Sequence, residues 1–191
     1  MLSLEGCGDP RPPVNAPHES IMLNNLPLHA LIVHMPIALT VLVPIFAVLG
    51  LWLGRRLLKP HVAWALPVGM LALLLVSGFA AEKTGEQQED RVEKVVPEAA
   101  FEKHEEAAEL FLVVTGGVLV LAAGGLMSNS LGKTMRVVGT VGTLAVLAAG
   151  WNVGHSGGQL VYQYNAGAAY STGAVGATEG ASTAGEDEDD K

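Results

Sequence analysis

Six histidines carry the chemistry open to this sequence: His18, His29, His34, His61, His104 and His155. A neutral imidazole is the commonest protein metal ligand, and it also binds haem iron. In or near hydrocarbon it is costly unless paired. Other chemistries lack their residues. A single cysteine, Cys7, excludes an internal disulfide, a Cys-x-x-Cys-His haem attachment and Cys-rich zinc or iron–sulfur sites. A ferritin-like Glu-x-x-His ending at His104 needs Glu where Phe101 stands. His-Glu-x-x-His starting there needs His where Ala108 stands. No Ser–His–Asp or Cys–His constellation and no Gly-rich phosphate loop is evident, so no independent catalytic activity is expected.

The elements that must position these imidazoles are membrane helices. The 191 residues are 50% hydrophobic and only 16% charged, with a mean hydropathy of +0.38, values high for a water-soluble domain. Four segments lack Asp, Glu, Lys and Arg: Pro27–Gly54, His61–Ala81, Leu110–Met127 and Val137–Gly154. About 20 apolar residues cross a hydrocarbon core of ~30 Å. The spacing therefore predicts an all-α integral membrane four-helix bundle, with helices over 27–54, 60–81, 104–127 and 135–155 and an acidic loop over 82–103. Pro36 and Pro44 are expected to kink the first helix. Gly116-Gly117, Gly124-Gly125, Gly139, Gly142 and Gly150 favour close packing. A Pro-rich polar arm over 1–26 precedes the bundle, and a Gly/Ala/Ser-rich acidic tail over 164–191 follows it. Both compositions predict disorder. A net charge of −8 argues against nucleic acid as the partner.

Arg55, Arg56 and Lys59 lie in one short loop, and Lys133 and Arg136 in another, with no acid in either. That bias predicts a cytoplasmic location for those loops, hence a chain that is N-out and C-out. The loop from Glu82 to Glu109 carries ten acids and falls on the other, outer side. His18 is then solvated in the arm, and His61 interfacial on the inner side.

The remaining four histidines converge in depth. At 1.5 Å per residue, His34 lies roughly 28 Å from the cytoplasmic end of its helix, and His155 roughly 30 Å. His29 and His104 lie roughly 36 Å and 35 Å from theirs. Depth thus pairs His34 with His155 and His29 with His104, at the outer end of three different helices. A cofactor or metal site, interfacial hydrogen bonding and a proton relay or pH sensor all fit such a cluster. Glu105 and Glu109 could add carboxylates.

Two stretches resemble a known family. Leu28-His29-Ala30-Leu31-Ile32-Val33-His34-Met35-Pro36-Ile37-Ala38-Leu39 is similar to the opening motif of the bacterial DUF2231 family of four-helix membrane proteins, His-Pro-x-x-Val-His-Phe-Pro-Ile-Ala-Leu. Gly154-His155-Ser156-Gly157-Gly158-Gln159-Leu160-Val161-Tyr162 resembles its closing His-x-Gly-Gly-x-Leu-Val-Tyr element. Ser77-Gly78, Gly85 and His104 fit between them, and the resemblance covers about residues 27–170. Ala30 stands where the family has Pro, Met35 where it has Phe, and Tyr164-Asn165 where a Gly-containing turn is common. The matched histidines are His29, His34, His104 and His155. Helix count and recurrent histidines are similar to those of two-haem membrane cytochromes b, which implies haem by analogy of fold.

The resulting expectation is a multi-pass protein of the bacterial inner membrane. It is an electron-transfer subunit holding a b-type haem between two imidazoles, His34 with His155 or His29 with His104, with quinone or a membrane or periplasmic redox protein as its partner. Copper or zinc on the same histidines is an alternative. So is a cofactor-free structural or assembly subunit, alone as a homo-oligomer or within a larger complex.

Overall fold

A computed structural model describes residues 28–170. The arm over 1–26, with Cys7 and His18, and the tail beyond residue 170 lie outside the described residues. Among the described residues there are helices and no strand: α1 (Leu28–Ile32), α2 (His34–Arg56), α3 (Pro60–Glu86), α4 (Glu89–Val92), α5 (Glu98–Gly124), α6 (Ser130–Tyr162) and a final 3-10 turn (Ala166–Tyr170). Four helical stretches are long and apolar enough to cross a membrane: His29–Arg56, Pro60–Glu86, Glu98–Gly124 and Ser130–Tyr162. The chain is an all-α four-helix membrane bundle.

The first stretch is nearly one helix. It breaks at Val33, but the ladder runs through the break, from Val33 N–H to the His29 carbonyl and from Ile37 N–H to the Val33 carbonyl. Pro36 has no N–H to give, so Ile32 ends α1. The Thr40 hydroxyl donates to the Pro36 carbonyl at 2.7 Å. Pro44 is accommodated inside α2 and Pro67 inside α3. Pro67 frees the Ala63 carbonyl, and Gly50 of α2 packs onto it: a Cβ on Gly50 would sit 3.1 Å from that oxygen. Pro60 opens α3 at a position where a missing N–H costs nothing. The Asn129 side chain caps α6 by accepting from Gly132 N–H at 3.0 Å.

The helices run past the expected boundaries. Instead of a loop over 82–103, α3 continues to Glu86 and α5 begins at Glu98, with the α4 turn between them. Charged residues mark where hydrocarbon ends, not where a helix ends, and Glu, Lys and Ala are good helix formers. For the same reason α6 extends from Ser130 to Tyr162. The tail also differs from expectation at its start. Residues 166–170 form the 3-10 turn, and Ala166 is buried against Val96 and Leu160. A composition summed over 28 residues cannot register one small side chain with a local apolar seat.

Neighbouring spans pack in ring order: α2 on α3, α3 on α5, α5 on α6 and α6 on α2. The first and third spans therefore face each other across the diagonal. Val43, Ala47, Leu71, Leu74, Val118 and Val146 fill the middle. Nearer the histidines, Phe111 and Leu112 of α5 lie over Gly78 of α3, while Thr40 and Phe111 occupy the space over Gly150 of α6. Lipid is as apolar as leucine, so such close approach, not water exclusion, holds the helices together. At the opposite end, Trp64 Nε1–H donates to the Ala122 carbonyl at 2.8 Å, and buried Arg136 donates to the Gly125 and Met127 carbonyls. These bonds satisfy the open C-terminal end of α5. Thr115 Oγ1 is buried without a partner among the described residues, and nothing in the packing explains it.

Candidate cofactor site at the histidine end

His29, His34, His104 and His155 all lie at the end of the bundle remote from Arg55, Arg56 and Lys133, as their spacing requires. Helical phase then separates them. The buried stripe of α2 runs Pro36, Leu39, Thr40, Val43, Ala47, Gly50. Two turns before Pro36, that stripe reaches His29, which is half-buried. His34 falls on the far side of the helix and is exposed, alongside Met35, Ile37 and Val41. In α5 the stripe Ala107, Phe111, Thr115, Val118, Ala122 extends back to His104, also half-buried. In α6 it is Ser156 that faces inward; His155, one residue earlier, is exposed.

Each inward imidazole is held by a neighbouring helix. His29 Nδ1 lies 2.8 Å from the Ala81 carbonyl of α3. A carbonyl only accepts, so Nδ1 carries the proton. His104 Nδ1 lies 2.9 Å from Ser156 Oγ of α6. That hydroxyl donates to the Val153 carbonyl at 3.0 Å, so it accepts from His104, whose Nδ1 is again protonated. Both neutral rings therefore keep the Nε2 lone pair.

Glycines make room for both rings. A Cβ on Gly85 would lie 3.3 Å from His29 Nδ1, and one on Gly157 would lie 3.0 Å from His104 Cε1. Gly85 and Gly157 thus sit where any larger residue would push the imidazole aside. Sequence reasoning placed both in the motifs but assigned neither this role, and it missed Ser156 as the hydroxyl that orients His104. The signal was available: Ser156 continues the α6 stripe of Gly139, Thr143 and Val146 at helical spacing.

The other candidates are arranged differently. The Gln159 carboxamide donates to His155 Nε2 at 3.3 Å, so that lone pair is occupied. Glu105 and Glu109 are exposed, and no group of three or more His, Cys, Asp or Glu side chains converges among the described residues. His61, at the other end, meets Ser128 Oγ at 3.3 Å. A cavity of about 160 Å³ opens one helical turn from His104 and is lined by Pro97, Ala99, Ala100, Lys103, Gln159 and Tyr164.

No family model, no curated protein and no solved structure matches the chain.

Proposed function

We propose that this protein is an electron-transfer subunit of the bacterial inner membrane that carries a b-type haem at its outer end, which the imidazoles of His29 and His104 would hold. Membership of the DUF2231 family, suggested by the two end motifs, and the N-out, C-out orientation belong to the same reading.

One observation carries it: two inward imidazoles from diagonal helices have their Nδ1–H groups engaged by neighbouring helices, which leaves Nε2 unprotonated. Hydrogen bonding at the distal nitrogen is how proteins fix the tautomer and orientation of a ligating histidine. The number of ligands points the same way. Two imidazoles are the whole protein contribution to a bis-histidine haem, whereas zinc in a protein takes three or four side chains. Haem held there by two imidazoles would supply one-electron transfer. The chain's own task is to hold the rings rigidly. Ala81 and Ser156 set the tautomers, and Gly85 and Gly157 let the rings approach the neighbouring helices closely.

The test is a visible spectrum of the full chain purified from haem-replete cells, oxidised and then reduced with dithionite. The expected result is a Soret band with sharp reduced α and β bands. These should disappear in the His29→Ala, His104→Ala double variant and persist in the His34→Ala, His155→Ala double variant. A band that survives loss of His29 and His104 overturns the ligand assignment. A second reading has an observation of its own, because each ring already bonds one helix to another. If folded protein is colourless and the double variant loses thermal stability, the histidines are interhelical pins in a cofactor-free bundle.

A further inference from the structure

We propose that the two short loops at the end of the bundle remote from the paired imidazoles form one binding surface for the headgroup of an anionic phospholipid. Residues 57–59 join α2 to α3, and residues 125–129 join α5 to α6. The two loops meet, because Ser128 Oγ lies 3.3 Å from Nδ1 of His61, the second residue of α3. One turn further in, the bond from Trp64 Nε1–H to the Ala122 carbonyl holds the start of α3 against the end of α5. Arg55, Arg56 and Lys59 precede His61, Lys133 follows Ser128, and all four cations are exposed. None has an acid nearby. Among the described residues the first acid along α3 is Glu82, roughly 32 Å from His61 at 1.5 Å per residue. Along α5 it is Glu109, roughly 22 Å from Gly124. Arg136 turns inward to the Gly125 and Met127 carbonyls, so the exposed side chains carry the uncompensated charge. The positive end of the α6 dipole, at Ser130, adds to it.

Charge alone fits any anion; the apolar residues beside it select a lipid. Leu57 and Leu58 stand between Arg56 and Lys59 and are 69% and 48% exposed. Leu126 and Met127 of the other loop, and Leu131 in the first turn of α6, are exposed as well. Depth follows from the connections. Arg56 ends one membrane-long stretch and Pro60 begins the next, and Gly124 and Ser130 do the same for the second pair. Loops this short hold their cations and leucines together at the boundary of the hydrocarbon. A phosphodiester meets the cations there while its acyl chains meet the leucines, and Lys and Arg are long enough to reach the headgroup from that depth. A zwitterionic headgroup brings a quaternary amine that opposes the cations; an anionic one does not.

This surface rests on neither the haem reading nor the orientation of the chain. The full chain is reconstituted with equal amounts of phosphatidylglycerol and phosphatidylcholine, released, and its retained lipid counted by native mass spectrometry. The expected result is retention of phosphatidylglycerol over phosphatidylcholine by about tenfold or more. Lys59→Gln and Lys133→Gln, both at exposed positions, should each lower that preference about fivefold, the effect of one cation at an anionic surface. Lys94→Gln and Lys103→Gln, at the histidine end, should leave it unchanged. Leu57→Ser combined with Leu58→Ser keeps every charge and should still reduce the phosphatidylglycerol retained, because contact with the acyl chains is lost. Equal retention of the two lipids, or an unchanged preference in the Lys59 and Lys133 variants, overturns the proposal. Loss of the preference when millimolar inorganic phosphate is present during reconstitution overturns it in favour of a site for soluble anions.

Discussion

At the scale of single residues, the histidine end depends on small partners. Among the described residues Ser156 is the side chain that holds His104 Nδ1, and it is itself directed by the Val153 carbonyl. Ser156→Ala should therefore free the ring at a cost of about 1 kcal/mol, the net value of one hydrogen bond. Gly157→Ala should cost more than Gly85→Ala, because the added methyl meets His104 at 3.0 Å but His29 only at 3.3 Å. Thermal unfolding in detergent checks both statements; equal losses at Gly85 and Gly157 would contradict the packing described. The depth of the four imidazoles was legible from counting residues alone. Their direction was not. In a soluble helix a charged face marks the outside, but in a bilayer the lipid face and the core face are both apolar. The spans therefore offered no amphipathic phase to separate His29 from His34, or Ser156 from His155. Small residues did carry a weak phase, since Gly50, Gly78, Gly139 and Gly150 all lie in contact with a neighbouring helix. Extending their register toward the histidines selects the inward set. Gly116, Gly154 and Gly158 have open space over them and blur that signal.

At the scale of elements, the ends of helices decide what the middle can tolerate. The C-terminal turn of α5 would bury unpaired carbonyls between α3 and α6 if nothing reached it. Trp64 of α3 and Arg136 of α6 do so from two sides, and a Cβ on Gly125 would collide with both. Arg136 entered the sequence reading only as a loop cation that orients the chain. Its burial adds a second role, a positive charge placed at the negative end of a helix dipole. Trp64→Phe keeps the ring and removes one donor, so it should destabilise the bundle by about 1 kcal/mol. Arg136→Met leaves two carbonyls without donors and should cost about 1–3 kcal/mol. The two side chains share one pocket, so the double variant should depart from additivity. A double-mutant cycle by chemical denaturation in detergent measures that departure, and strict additivity would show two independent caps.

At the scale of the whole molecule, the dominant feature is charge segregation along the bundle. Among the described residues every acid lies between Glu82 and Glu109, at the histidine end. Arg55, Arg56, Lys59, Lys133 and Arg136 lie at the other end, where there is no acid. The helices are longer than the hydrocarbon they cross: α6 has 33 residues, about 50 Å at 1.5 Å per residue, against a ~30 Å core. The excess cannot be shared equally between the two ends. Arg136 is only six residues into α6, and the apolar run that follows it reaches Trp151 before polar residues resume, so most of the overhang falls at the histidine end. That overhang would put His29 and His104 at the edge of the hydrocarbon, where a cofactor would be within reach of both bilayer and water. The segregated cations predict an orientation, because Lys and Arg in short loops resist translocation whereas acids contribute little. The acid-free loops should accordingly stay in the cytoplasm. Single cysteines at Lys94 and Lys133, each introduced into a Cys7→Ser background, test this with a membrane-impermeant maleimide applied to intact spheroplasts. Lys94→Cys should react at once, and Lys133→Cys only after the membrane is opened. The reverse pattern would place the histidine end inside, and any redox partner of the paired imidazoles would then be a cytoplasmic one.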